Sequence, residues 1–294
     1  MPSLFPPPRV ALRRERWDAP DGDFIDVDFC GEPGARTQLV LFHGLEGGSA
    51  SHYARSMAGH AVQRGWRLAI AHFRGCSGEL NRSARAYHSG DSEEIDWVLK
   101  RFGAPVYAVG VSLGGNALLK WLGERGETAR ARVRRAAAVS APLNLAAAGN
   151  ALDRGLNRFV YTRHFLASLK PKSLAKLALF PDLYDKEKLR AARTFREFDN
   201  LVTAPLHGFR DTDDYWSRAS SGPYLEGIRV PTLVLNARND PFLPEQALLA
   251  AAQKAAPCVV LEFPPTGGHA GFLAGPFPGR HSWLPQRLFE FLTQ

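Results

Sequence analysis

The sequence predicts an α/β protein: a mostly parallel central sheet, an antiparallel hairpin at its N-terminal end, and a helical cap inserted between two core strands. Two observations carry this. From Thr37 onward, short β-branched apolar runs alternate with longer stretches of helical periodicity, the mark of a parallel sheet covered on both faces. The alternation is then broken once, by about 90 residues between Ser140 and Pro231, too long for a plain connection inside a compact sheet. With 294 residues, 45% of them hydrophobic, the chain can bury such a core as one domain carrying an insertion.

The elements follow in order. Met1 to Arg9 is proline-rich and lacks the apolar stretch of a secretory leader, so it reads as a loose arm. Val10 to Trp17 and Phe24 to Phe29 alternate as strands, and Asp18-Ala19-Pro20-Asp21-Gly22 between them supplies turn residues. Gln38 to Phe42 is a buried strand ending at His43-Gly44, Ala50 to Arg64 a helix, and Trp66 to Phe73 the next strand. A helix opens at Asp91-Ser92-Glu93-Glu94 with an acidic first turn, and its Ile95, Val98, Leu99 and Phe102 fall on one face. Val106 to Val109 is a short central strand, followed by a helix over Leu113 to Glu124. Strands at Arg135 to Ser140 and Pro231 to Ala237 flank the long gap; Val259 to Phe263 and a helix over Trp283 to Leu292 close the fold. Asn144 to Leu225 is rich in Leu, Phe and Arg with helical stretches. The expected division is therefore a core of residues 1–143 and 226–294 with a cap of 144–225.

Composition narrows the function classes. No apolar run reaches the roughly 20 residues of a membrane-spanning helix, so a soluble protein without an integral membrane segment is expected. Cys30, Cys76 and Cys258 are few, odd in number and far apart, which favours the reducing cytoplasm over a disulfide framework. The net charge of +8 comes mainly from arginines scattered along the chain, denser at Arg13, Arg14 and Arg16 and at Arg130, Arg132, Arg134 and Arg135. No aromatic interleaving or helix-turn-helix pattern accompanies it, so it reads as a solvated face and no nucleic-acid partner is expected. Metal-ligand spacings and phosphate-cradling glycine motifs are missing, so neither metal nor cofactor is expected. Composition does not set the oligomeric state.

The chemistry gathers around Gly110-Val111-Ser112-Leu113-Gly114, a G-x-S-x-G pattern with a strand leading in and a helix leading out. In that context the serine sits on a tight, strained turn with its hydroxyl clear of the sheet, and a Cβ at Gly110 or Gly114 would collide where strand and helix cross. A serine hydroxyl needs a base to attack at neutral pH. His269, in Gly267-Gly268-His269-Ala270-Gly271 after the last strand, is the candidate, with His281 the alternative. The base in turn needs a carboxylate to fix its tautomer. Asp240, in Ala237-Arg238-Asn239-Asp240-Pro241, follows the preceding strand, and Glu262 is the alternative. Oxyanion donors are commonly worth about 3 to 4 kcal/mol apiece; the expected ones are the backbone amides of Leu113 and of Leu45, the latter in the loop His43-Gly44-Leu45-Glu46-Gly47-Gly48. His43 is read as bracing that loop, and Cys76 as a packed side chain. Phe159, Phe165, Leu166, Leu169 and Trp216 are candidates to line a substrate pocket, or equally to form the core of the cap.

These residues resemble the YheT-like branch, also called the AB hydrolase 4 family, of the α/β-hydrolase superfamily. The resemblance spans nearly the whole chain through His43-Gly44-Leu45-Glu46-Gly47, Phe73-Arg74-Gly75-Cys76-Ser77-Gly78, Tyr87-His88-Ser89-Gly90 and Gly110-Val111-Ser112-Leu113-Gly114-Gly115-Asn116. It continues in Phe198-Asp199, Pro205-Leu206-His207-Gly208-Phe209 and Asp214-Tyr215. It implies an α/β-hydrolase fold, carboxylic ester hydrolysis, and a triad on Ser112, Asp240 and His269. Asn239 departs from the pattern, which leads one to expect an acidic residue before the catalytic Asp. His88 and Asp91 belong to the resemblance as substrate contacts or as a helix-capping turn. The expected reaction is hydrolysis of a small or medium-chain ester, lipid-derived ones included, through an acyl-enzyme. The alternatives are an acyltransferase with the same triad and a non-catalytic ligand-binding protein of the same fold.

Overall fold

The computed structural model describes residues 10–276 and 279–294, so the arm expected over Met1 to Arg9 lies outside the described residues. Eight strands form one sheet in the order β1-β2-β4-β3-β5-β6-β7-β8: β1 Arg13–Asp18, β2 Phe24–Cys30, β3 Gln38–Phe42, β4 Arg67–Ala71, β5 Val106–Val111, β6 Val133–Val139, β7 Thr232–Leu235 and β8 Val259–Glu262. The β1–β2 and β2–β4 pairs are antiparallel and the rest parallel. This is the α/β-hydrolase arrangement expected from the sequence. The strands shift by a few residues from their expected limits. β1 starts three residues late because it is an edge strand paired on one side only, whose polar sequence gives alternation little to mark.

Side-chain alternation divides the core in two. Val40, Phe42 and Ala108 face one side of the sheet, where they pack with Ile95, Leu99, Leu118 and Trp121 from α2 (Ser92–Lys100) and α3 (Leu113–Arg125). Leu39, Leu41, Val109 and Val139 face the other, against Met57 of α1 (His52–Gln63) and Leu288 and Phe289 of the C-terminal helix (Trp283–Leu292). Trp121 is fully buried and its indole N–H donates to Asp96 Oδ1 at 2.9 Å, so its one polar atom is satisfied.

Between β6 and β7 the chain contains helices and turns but no strand among the described residues. It runs through α4 Leu145–Leu152, α5 Gly155–Asn157, a π-helical turn Arg158–Thr162, α6 Arg163–Leu179, α7 Lys186–Ala191 and α8 Phe195–Phe198. A second π-helical turn Asp199–Thr203, α9 Ala204–Leu206 and α10 Thr212–Ala219 follow. One helix was not read from sequence: α11, Glu245–Ala252, between β7 and β8. It buries only Leu248 and Ala252, too thin a stripe to show as periodicity. The last helix is α12.

The strand order sets where chemistry can occur. From β3 the chain turns one way, to β4; from β4 it crosses back to β5 on the other side of β3. The carboxyl ends of β3 and β5 therefore flank a crevice at the switch point, the usual ligand site of an open parallel sheet. The loop at His43 leaves one end and Ser112 the other.

Candidate active site

Ser112 caps α3 with φ 52° and ψ −117°, a conformation that costs a non-glycine residue about 1–3 kcal/mol and persists only where its surroundings enforce it. The enforcement is visible. The Ser112 amide donates to Val139 O at 2.8 Å and that of Gly114 to His43 O at 3.1 Å, so the turn is tied to both neighbouring strand ends. A Cβ on Gly114 would stand 2.4 Å from Phe42 O, and one on Gly110 2.4 Å from Gly114 O. The two glycines permit the close crossing of β5, α3 and β3.

The structure brings the three candidate triad residues together. His269 Nε2 lies 2.9 Å from Ser112 Oγ and its Nδ1 2.8 Å from Asp240 Oδ2. The Asp240 side chain is fully buried, and its other oxygen accepts the Phe242 amide at 2.9 Å. Phe242 packs at 4.2 Å, centroid to centroid, on the imidazole. The loop carrying the ring is pinned on both sides: the Ala270 amide donates to Ser140 Oγ at 3.1 Å, and His52 Nε2 meets Ala270 O at 2.9 Å. Asn239 accepts the Gly268 amide at 2.9 Å, joining the acid-bearing and base-bearing loops through an uncharged contact. The alternatives are engaged elsewhere. His281 Nδ1 lies 3.4 Å from Gly271 O, and Glu262 accepts from Arg287 Nε at 3.0 Å.

The loop after β3 is held by two tyrosines. Gly44 N–H donates to Tyr53 Oη at 2.9 Å, and Glu46 N–H to Tyr87 Oη at 3.0 Å, while Tyr87 Oη donates to the Glu46 carboxylate at 2.8 Å. Leu45, between these two tethered amides, lines the same cavity as Leu113 and Ser112. Neither the Leu45 nor the Leu113 amide has a backbone acceptor among the described residues. His43 is fully buried, its Nδ1 2.7 Å from Gly44 O and its Nε2 accepting the Phe73 amide at 3.0 Å. Burial pushes its pKa down to about 3, so it is a neutral brace and not a second base.

Ser112 opens into a cavity of about 180 Å³ with an apolar wall that includes Leu45, Leu145, Leu152, Phe165, Leu169 and Trp216. Polar groups enter at Glu46, Tyr87, Lys172 and Asp199. Phe165 and Trp216 thus stand where substrate contacts were expected. Phe159 does not: it is 70% exposed on the outer face of the π-helical turn and lies outside the cavity lining. Leu166 is likewise absent from the wall, because it packs with Leu189, Phe198 and Val202 in a separate small core. Helical spacing places residues on a common face but does not say whether that face turns to a cavity, a core or solvent.

Tyr53, Tyr87, Phe242 and Lys172 were not anticipated. Tyr87 lies within a stretch that carries the resemblance, so a signal existed for it; the others reach the site through tertiary packing alone. His88 lines the cavity, and burial pushes it down to about 3. Asp91 caps α2, accepting the Glu94 amide at 3.4 Å, and pairs with Arg85 at 2.6 Å, which is the helix-capping role. Burial pushes the Cys76 thiol up to about 12, so it is not a nucleophile at neutral pH.

Comparison with known proteins identifies the family and the fold. A family profile described as alpha/beta hydrolase fold matches residues 37–276. The chain is 40% identical to the YheT protein of Escherichia coli (strain K12) over 289 residues, 95% of this chain and 84% of that one. It is 30% identical to Phospholipase ABHD3 of Mus musculus over 306 residues, 100% of this chain and 74% of that one. Among solved structures, the esterase EaEST from Exiguobacterium antarcticum superposes with a TM-score of 0.62 at 17% identity, covering 95% of this chain and 99% of that one. The chain is a hydrolase acting on esters, and it belongs to the α/β-hydrolase family, in its YheT-like branch.

Proposed function

We propose that this protein cleaves carboxylic esters of small or medium acyl chain through an acyl-enzyme on Ser112. The observation that carries the reading is the single imidazole of His269, bonded on one side to Ser112 Oγ at 2.9 Å and on the other to buried Asp240 at 2.8 Å, at the wall of an apolar cavity. His269 takes the Ser112 proton as Oγ attacks the ester carbonyl, and Asp240 stabilises the imidazolium. The Leu45 and Leu113 amides receive the oxyanion. His269 then protonates the leaving alcohol, and a water molecule activated by the same ring hydrolyses the acyl-enzyme. The helices of residues 144–225 act as a cap over the core of 1–143 and 226–294, with Phe165 and Trp216 setting the room for the acyl chain.

Labelling with a fluorophosphonate probe tests this directly. Wild type should be labelled and turn over nitrophenyl esters, while Ser112→Ala should lose labelling and at least about 10³-fold in kcat. Equal labelling of the two proteins, or none of folded wild type, would refute the assignment. Ester formation outrunning hydrolysis when an alcohol is added would make it an acyltransferase instead.

A further inference from the structure

Between α4 and α6 the chain presents an outer face that the reaction does not use. Its inner face is seated on the acid-bearing loop: Asn157 Nδ2 donates to Pro241 O at 2.8 Å, and Tyr161 packs edge-on against Phe242 with centroids 4.6 Å apart. The residues that flank the segment, Leu152 and Phe165, both line the cavity. This face therefore stands at the cavity's edge.

Outward, the segment shows Leu156 at 78%, Phe159 at 70% and Val160 at 48% exposure. Their spacing of i, i+3 and i+4 puts them on one side of a helical turn. A lone exposed apolar side chain is ordinary, whereas three adjoining ones on one turn mark an interaction surface. The charge around them says what kind. From Arg154 to Pro181 there is no Asp or Glu, and Arg154, Arg158 and Arg163 alternate with the apolar trio, Arg154 and Arg163 being exposed. Apolar side chains interspersed with arginines are the composition of a helix that lies in the headgroup layer of an anionic bilayer. A second copy docking through this face would bring six guanidinium groups together against only the two Asp153 carboxylates, whose oxygens already accept the Phe195 and Arg196 amides, which argues against self-association.

We propose that the face formed by Leu156, Phe159 and Val160 docks on an anionic lipid surface, with Arg154, Arg158 and Arg163 meeting the lipid phosphates. Among the described residues no helix is long and apolar enough to cross a membrane, so the contact is peripheral. Delivery of an ester from that surface to Ser112 rests on the reading of the site given above; the docking itself does not.

Cosedimentation of the full chain with vesicles tests it, using phosphatidylcholine alone and phosphatidylcholine mixed with phosphatidylglycerol. The mixed vesicles should bind the protein, added salt should release it, and Leu156→Ser/Phe159→Ser should weaken binding by about tenfold or more. Arg154→Gln/Arg158→Gln/Arg163→Gln should reduce the preference for the anionic vesicles. Both variants should keep the wild-type rate on a water-soluble nitrophenyl ester, which reports intact folding. Equal binding to the two vesicle types, equal binding by wild type and the Leu156/Phe159 variant, or a solution dimer that this variant abolishes would overturn the proposal. An inactive wild type that still binds the mixed vesicles would count against the esterase mechanism and leave docking standing.

Discussion

Tyr87 shows how a single phenol can matter through the loop it holds. Its oxygen both accepts the Glu46 amide and donates to the Glu46 carboxylate, closing a small ring around the residue that follows Leu45. Removing the oxygen in Tyr87→Phe strands a loop amide beside the proposed oxyanion donor. Such a hydrogen bond is worth about 1 kcal/mol or somewhat more, so kcat should fall by about fivefold to tenfold with KM nearly unchanged. Steady-state kinetics would show it, and an unaltered kcat would mean that the loop holds its shape without Tyr87. A second residue sets a pH dependence. Burial pushes Asp199 up to about 6, although Thr203 and Trp216 both donate to its carboxylate. Between the ordinary carboxyl value and that level the folded protein keeps a proton that the unfolded chain has lost. This group's contribution to stability therefore declines as pH climbs through that window, and Asp199→Asn should flatten that slope in thermal melts. At this scale the meeting of Ser112, Asp240 and His269 in one place was legible because each follows a strand whose apolar run is plain. Phe159 was misread because nothing local distinguishes a residue facing solvent from one facing a cavity.

The helices and strands behave differently under perturbation because they touch each other at different distances. The crossing of α3 over β3 leaves no room at Gly114, where a methyl group would meet the carbonyl oxygens of Phe42 and His43 at 2.4 and 2.6 Å. Gly114→Ala should cost about 1–3 kcal/mol or more in urea unfolding, and should lower kcat as well, since the same crossing sets the angle of Ser112. A variant as stable as wild type would show that the crossing can relax. Phe165, at the start of α6, forms part of the cavity wall. Phe165→Ala should move the preferred nitrophenyl ester toward longer acyl chains, and an unchanged chain-length profile would take Phe165 out of substrate selection. The parallel strands β3, β4, β5 and β7 could be read from sequence because both faces of each are buried over most of its length. The π-helical turns at Arg158–Thr162 and Asp199–Thr203 could not, because an extra residue per turn is a response to packing and leaves no mark on apolar spacing.

Across the molecule as a whole, buried imidazoles shape the response to mild acid. Burial pushes both His43 and His88 down to about 3, whereas an unfolded histidine titrates near 6.5. As pH falls below 6.5 the unfolded chain takes up protons that these two rings refuse, so stability is lost progressively toward pH 3. Asp199, Glu94 and Asp153, all pushed up by burial, oppose them in the lower part of that range, whereas His52, also pushed down by burial, adds to them from 6.5 downward. The melting temperature should therefore fall from pH 7 to pH 5, and a flat or rising trend would show that other groups compensate. The sheet's existence was readable from alternation, but its order was not, since crossing back past β3 leaves no trace in composition. One long-range tie has a wider effect. Lys172 reaches from α6 to the Glu46 carboxylate at 2.9 Å, so a helix of the cavity wall is strapped to the loop that follows β3. A guest too bulky for the chamber would pry that strap open and slacken the grip it needs for turnover. Oversized esters would then be slowed even when they are admitted, and the protein would discriminate by pace as well as by fit.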